Sequence, residues 1–304
     1  MTPDAASLGQ LLRKVDPRLR FERSWTLAGG VSAQVTAIAT TGPDGQPRTL
    51  VVRQYGAVDL RSNPHIARTE YRLLTLLHAA GLRVPRPYHA DESCAILPVP
   101  CLILEFIDGE PPAGPAVPPD FTSQLAAALA NLHGASFARS DAAFLPDIGS
   151  VSSQLLGTWP AVLDDTISEA AVRAALTGNW PPPRRNEPVV LHGDYWPGNT
   201  LWRHGNLVGV IDWEDSAFGD PLADLGIARL ELLMHHGEAT MDEFTRQYCA
   251  LLPEVDMAAL PYWELYAALR PSGQMDRWGL PLDELERFRW AHRRLVADAL
   301  VRLH

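Results

Sequence analysis

The sequence predicts an α+β protein in two lobes: an N-terminal antiparallel sheet with one long helix, then a mostly helical lobe with one small hairpin. Three observations carry this expectation. β-Type runs crowd the first third of the chain around a single strongly periodic helix. A Pro-rich stretch, "EPPAGPAVPPD" at 110–120, then interrupts regular structure. Beyond it the segments read as helix, except for a strand–turn–strand insert. The lobes are set at 1–106 and 107–304, with the crossover just ahead of the Pro-rich stretch.

The elements follow in order. "SLGQLLRKVD" reads as a short amphipathic helix. Two β-type runs flank "AGG" at 28–30, and the second is "SAQVTAIAT". "GPDGQP" is a turn, and "RTLVVRQY" is a third strand, apolar and β-branched. "PHIARTEYRLLTLLHAAG" is a helix with Ile66, Leu73, Leu74 and Leu77 near one face, beside Glu70 or Tyr71, and Gly81 stops it. "CLILEFIDG" is another strand. Helices are expected at "FTSQLAAALANLHGAS" and around 151–177, 221–236, 240–252, 256–269 and 283–303. A loop, "WPPPRR", precedes the strand "EPVVLH" and the hairpin insert.

The chain has 304 residues, 46% hydrophobic and 20% charged, enough to bury a proper core. Its net charge of -10 argues against a nucleic-acid binder. Before Glu110 there are 12 Lys+Arg against 10 Asp+Glu; the totals of 26 and 36 leave 14 against 26 from Glu110 onward. The acidic second part reads as a solvated surface or as a region that draws cations. Cys94, Cys101 and Cys249 lack metal or redox spacing and read as reduced thiols of a cytoplasmic protein. "MTPDAASLGQLLRKVD" has an early acid and no apolar core, so no signal peptide is expected. No apolar run reaches the ~20 residues of a membrane helix, so no membrane partner is expected.

The chemistry concentrates in "LHGDYWPGNTLW", residues 191–202. Asn199 lies five residues after Asp194 and thirteen before Asp212. "TLWR", "HGN" and "LVGVID" read as strand, turn and strand, so the ribbon folds back and lets Asn199 and Asp212 converge. Two oxygen ligands suit Mg²⁺, which keeps waters and takes further oxygens from phosphates. Asp194 then faces a substrate hydroxyl, orients it and accepts its proton. The order matches the protein-kinase pattern, but H-G-D and I-D-W stand in place of H-R-D and D-F-G. With "LHGDYWPGN" and "GVIDWED", residues 25–235 resemble the aminoglycoside phosphotransferase family of small-molecule kinases. The resemblance implies a protein-kinase-like two-lobe fold and ATP or GTP with Mg²⁺ as cofactors. It implies phosphorylation of a small-molecule hydroxyl, with His192 as a supporting, orienting residue beside the catalytic Asp194.

The first third supplies the nucleotide side. Gly29 and Gly30, with Ser32 close behind, would let the backbone approach phosphates; a plain turn also fits them. Arg53 stands where a phosphate-gripping lysine is expected. Lys14 is the single Lys among 26 Lys+Arg, so an arginine bias also explains the choice. Glu70 is placed like the acid that pairs with that cation. Backbone groups of Glu105, Phe106 and Ile107 would meet the adenine edge, or "CLILEF" is simply a buried strand.

Other residues keep two readings. Asp220 and Asp224 read first as caps of the helix that follows. Glu214 and Asp215 either favour a second cation or face water. Trp263, Tyr266, Trp278 and Trp290 read as core before pocket. Arg270 could meet an anionic substrate group, against the cationic acceptor that the acidic surroundings suit. His235 and His236 point ~100° apart on a helix and make poor joint ligands. Two rival functions stand beside the kinase: a nucleotide-binding module without catalysis, which Arg53 favours, and a metal-dependent hydrolase using His192, Asp194 and Asp212. The substrate and the oligomeric state are left open.

Overall fold

A computed structural model describes residues 3–27, 33–112 and 117–303. The chain divides into two compact units: Met1–Gly109 with Val208–Glu214, and Glu110–Leu207 with Asp215–His304. The segment Val208–Glu214, which the sequence assigns to the second lobe, clusters with the first unit.

The first unit begins with helix α1 (Ala5–Val15), capped by Asp4, which accepts from the Ser7 N–H at 2.7 Å. Strands β1 (Arg20–Thr26), β2 (Ala33–Thr41) and β3 (Pro47–Tyr55) follow, then helices α2 (Ala57–Ser62) and α3 (Ile66–Ala79) and strands β4 (Pro87–Asp91) and β5 (Cys101–Glu105). Among the described residues they form a five-stranded sheet, ordered β1-β2-β3-β5-β4, with every pairing antiparallel. Strand alternation sorts the side chains of β3. Leu50 and Val52 join Ile38, Ile103 and the apolar face of α1 (Leu8, Leu11, Leu12) in one core cluster. Val51, Arg53 and Tyr55, of opposite parity to Leu50 and Val52, share the reverse face, and all three are buried. That is the face on which Tyr55 reaches Glu70 of α3.

The second unit contains helices α4 (Phe121–His133), α5 (Ile148–Gly157) and α6 (Glu169–Leu176), then strand β6 (Val189–Leu191). Strands β7 (Thr200–Arg203) and β8 (Asn206–Val210) form the expected two-stranded ribbon, along which the chain passes from the second unit to the first. Strand β9 (Ala217–Gly219) pairs with β6. Helices α7 (Leu222–His236), α8 (Glu238–Leu251), α9 (Leu260–Leu269) and α10 (Leu282–Arg302) complete the chain. α7 is buried on nearly all sides, as its apolar run requires. It packs against α9 at Gly226, where an added Cβ would stand 2.8 Å from the Trp263 backbone. Arg229 of α7 donates to Glu264 of α9 at 2.6 Å, both buried.

The helix expected over 151–177 is two helices and a short 3₁₀ turn at Asp165–Ile167. Pro160, in "GTWPAV", breaks the pattern between them. β4 and β9 are the strands that periodicity does not announce. One is five residues opening on Pro87, and the other is three residues ending in glycine.

Candidate functional site

In the first unit, Arg53 gathers three carboxylates: Glu70, expected as its partner, Asp212, expected as a metal ligand, and Glu214. Its Nη2 donates to Asp212 Oδ1 at 2.5 Å and also to Glu214 Oε2, while Nε lies 3.7 Å from Glu70 Oε2. The Tyr55 hydroxyl donates to the same Glu70 oxygen at 2.7 Å. Burial disfavours the Arg53 charge, but Glu70, Asp212 and Glu214 outweigh it and raise its pKa well above the ordinary guanidinium value. Burial, then the Glu70 carboxylate, pushes the Tyr55 phenol up. Asp212 has a left-handed backbone at φ 69°, sparsely populated for a non-glycine residue. The Trp213 indole N–H donates to the Val210 carbonyl at 3.0 Å and pins that turn.

The proposed adenine-side segment leaves the end of β5. Glu105 is tied to Arg86, whose backbone N–H donates to Oε2 at 3.1 Å. Phe106 meets Trp25 edge-on, and Ile107 lies so close to Gly209 that a Cβ there would stand 2.6 Å from its Cδ1. Gly29, Gly30 and Ser32 lie outside the described residues.

In the second unit, the loop after β6 is held from below by Asp224. This fully buried carboxylate accepts the His192 N–H at 2.7 Å and the Gly193 N–H at 2.8 Å. Its Oδ2 also lies 3.1 Å from His133 Nε2, and His133 Nδ1 lies 2.8 Å from the Tyr248 hydroxyl. Burial pushes Asp224 up, but the His133 contact, with His192 and the Gly193 N–H, holds it below the usual carboxylate range. Gly193 is required here: its φ is 84°, and a Cβ would stand 1.9 Å from the Asp215 carbonyl oxygen. His192 is fully buried, and its Nδ1 accepts the Asp194 N–H at 3.2 Å. A neutral ring in that arrangement carries its proton on Nε2.

Asp194 is gripped on both carboxylate oxygens. Asn199 Nδ2 donates to Oδ2 at 3.0 Å and to the Asp194 carbonyl at 2.9 Å. Arg270 Nη1 donates to Oδ1 at 2.9 Å, and its Nη2 donates to Asp215 Oδ2 at 3.0 Å. Asn199 spends only its nitrogen on Asp194, so its amide oxygen is turned the other way. Asn199 and Asp212 fall in different units.

Asp194 also lines a cavity of about 250 Å³ within the second unit. Ile227, Leu230 and Glu231 of α7 share its wall with Ala267, Arg270 and Pro271 at the end of α9, and with Gln274 and Trp278. Trp278 is thus a pocket residue rather than core, whereas Trp263 and Tyr266 are buried as expected. Trp290 is exposed.

The residues that sequence reasoning missed are Asp224 and His133. Asp220 does cap, accepting the Leu222 N–H at 3.0 Å. Asp224 does not cap; it holds the loop. The available signal was a carboxylate in the apolar first turns of a helix, "PLADLGIA", where an unpaired charge could not be buried. Arg270 meets two carboxylates of the chain itself rather than being held open for an anion.

Comparison with known proteins agrees with this architecture. A mouse protein, acyl-CoA dehydrogenase family member 10, is 23% identical over 251 residues, covering 73% of this chain and 23% of that protein. The chain spans about a quarter of the length of the first curated relatives it matches. The GDP complex of wild-type aminoglycoside 2′-phosphotransferase-IIIa superposes with a TM-score of 0.64 at 19% identity, covering 99% of this chain and 97% of the other. A macrolide 2′-phosphotransferase from Brachybacterium faecium gives 0.56 at 20% identity, covering 98% and 97%. These likenesses establish the kinase-like fold. The family model described as the phosphotransferase enzyme family matches residues 26–271, and the chain belongs to that family.

Proposed function

We propose that the protein transfers the γ-phosphoryl group of ATP to a hydroxyl of a small molecule. The observation that carries this reading is the Asp194 carboxylate, fixed on both oxygens and facing a cavity of about 250 Å³. The acceptor oxygen forms a bond to the γ-phosphorus while the bond from that phosphorus to the β–γ bridging oxygen breaks. ADP leaves, and the hydroxyl proton passes to Asp194. Arg53 takes the phosphates on the nucleotide side, and His192 keeps the Asp194 backbone in place. Position and fixed charge supply most of the rate, because phosphoryl transfer asks little covalent chemistry of the protein.

The donor chemistry fits magnesium. Asp212 offers a carboxylate, and Asn199 offers an amide oxygen not committed to Asp194, both hard oxygen donors. Held by such donors, Mg²⁺ would offset phosphate charge. Among the described residues no group of three or more His, Cys, Asp or Glu is placed to hold a metal ion.

The acceptor is a small molecule whose body suits apolar walls. Glu231 and Trp278 add a carboxylate and an aromatic face, which favours a cationic group on it over an anionic one. The test is an ATP-consumption screen across aminoglycosides, macrolides, amino alcohols and sugars, run beside Asp194→Ala. Turnover that survives in Asp194→Ala would refute the reading. A second reading, nucleotide binding without transfer, rests on Arg53 sitting directly on Asp212. Calorimetric binding of Mg–ATP with no transfer to any acceptor would favour it.

A further inference from the structure

We propose that Arg270 and Asp215 form a clamp that positions Asp194 for transfer. The inference rests on the phosphotransferase reading and assigns a role to two residues outside the family motif's His, Asp and Asn. The contacts close a ring. Arg270 Nη1 donates to Asp194 Oδ1 at 2.9 Å, and Nη2 donates to Asp215 Oδ2 at 3.0 Å. The Asp215 carbonyl oxygen lies against Gly193, within 1.9 Å of where its Cβ would be, and Gly193 leads directly into Asp194. The Ser216 hydroxyl donates to the His192 carbonyl at 3.4 Å and ties the same two strands of chain together.

The ring fixes the carboxylate because its two oxygens are held from two sides. Asn199 takes Oδ2 at 3.0 Å, and Arg270 takes Oδ1. One donor alone would leave the side chain free to rotate about Cα–Cβ. Arg270 is itself well held: it is the C-cap of α9, where the last carbonyls of the helix favour a cation. A guanidinium suits the task because its planar fork can grip two carboxylates at once; an ammonium is a point charge on a flexible stem. The geometry also gives the cavity its selectivity. Its one lining arginine is already engaged by two carboxylates, so an anionic acceptor would have to break the clamp to reach it.

The experiment uses the 304-residue chain and the acceptor that turns over fastest in the screen above. Steady-state constants are measured for Arg270→Gln, Arg270→Lys, Asp215→Asn and the double variant Arg270→Gln/Asp215→Asn, with a melting temperature for each. The clamp predicts that Arg270→Gln lowers kcat about 10- to 100-fold, the scale of a misplaced catalytic group, while KM for ATP stays within about twofold. Asp215→Asn should lower kcat about three- to tenfold; its side chain is 55% exposed, so folding is not at stake. The double variant should match Arg270→Gln, because in the clamp the Asp215 carboxylate acts on Asp194 through the arginine. Arg270→Lys should recover part of the loss. A kcat within twofold of the unaltered protein in Arg270→Gln, or costs that simply add in the double variant, would overturn the clamp. A purely structural staple would instead lower the melting temperature and raise KM for ATP together with the fall in kcat. An unaltered protein that transfers phosphate to no acceptor would overturn the underlying reading, and the clamp's catalytic role with it.

Discussion

Asp224→Asn is the sharpest test of how the loop bearing Asp194 is held. The wild-type carboxylate is completely buried and accepts two backbone N–H groups, at 2.7 and 2.8 Å, with His133 Nε2 at 3.1 Å. An amide has the same shape but one acceptor oxygen, so its NH₂ must face a donor. Removing one partner of a buried charged network costs about 3–5 kcal/mol. At roughly 2–4 °C per kcal/mol for a large domain, the melting temperature should fall by about 10 °C. Asp220→Asn is the matched control. Burial raises the Asp220 carboxyl, so its charge is less favoured in the fold and its loss should cost less. The two differ in pH dependence as well. Asp224 is held low, so its contribution is present above about pH 4, its unfolded value, and is lost as pH falls through the lower folded value. Asp220 is raised, so its contribution is fullest below about pH 4 and is lost as pH rises through the higher folded value. Thermal denaturation across pH 3–7 and kcat at pH 7 check both. Melting of Asp224→Asn at the wild-type temperature with unchanged kcat would refute the idea that Asp224 supports the loop.

Gly193→Ala combines a φ of 84° with a Cβ 1.9 Å from the Asp215 carbonyl oxygen, so the loop must shift; kcat should fall at least tenfold, read by steady-state kinetics. Tyr55→Phe removes the hydroxyl that donates to Glu70 at 2.7 Å and should cost about 1–3 kcal/mol by denaturant titration, with weaker nucleotide binding by calorimetry. Trp278→Ala should leave the melting temperature within about 1–2 °C, because the side chain is 42% exposed, yet raise KM for the acceptor several-fold. Arg53→Lys keeps the charge but loses the fork, and should weaken Mg–ATP binding at least tenfold by calorimetry.

Much of the fold was legible because its elements are strongly periodic. The α3 stripe of Ile66, Leu73, Leu74 and Leu77 is buried as its spacing demands, and the three β-type runs before it are β1, β2 and β3. β4 was not legible: "PYHAD" carries no alternation, and its place is set by pairing with β5. The loop motif singled out Asp194 and Asn199 through residue type and spacing, and the fold brings the two side chains together. It could not announce Arg270, 76 residues beyond Asp194, because nothing local distinguishes an arginine at a helix end from a solvated one. Asp224 was visible as an oddity, a charge in the apolar first turns of a helix, but its partners come from the loop after β6 and from α4.

Arg53 shows where composition misleads and geometry decides. A chain with Lys14 as its single lysine among 26 Lys+Arg invites the view that arginine at position 53 is only a habit. The contacts argue otherwise. Nη2 serves Asp212 and Glu214 together, while Nε faces Glu70. A guanidinium spreads its charge over separated nitrogens, so one of them can meet Asp212 and Glu214 while another lies toward Glu70; an ammonium concentrates it at one point. Glu214 adds a third carboxylate around the arginine and meets the same nitrogen as Asp212. Within "IDWED" the fourth residue and the strand cation are matched parts of one electrostatic unit, so replacing either alone should disturb the nucleotide side more than replacing both.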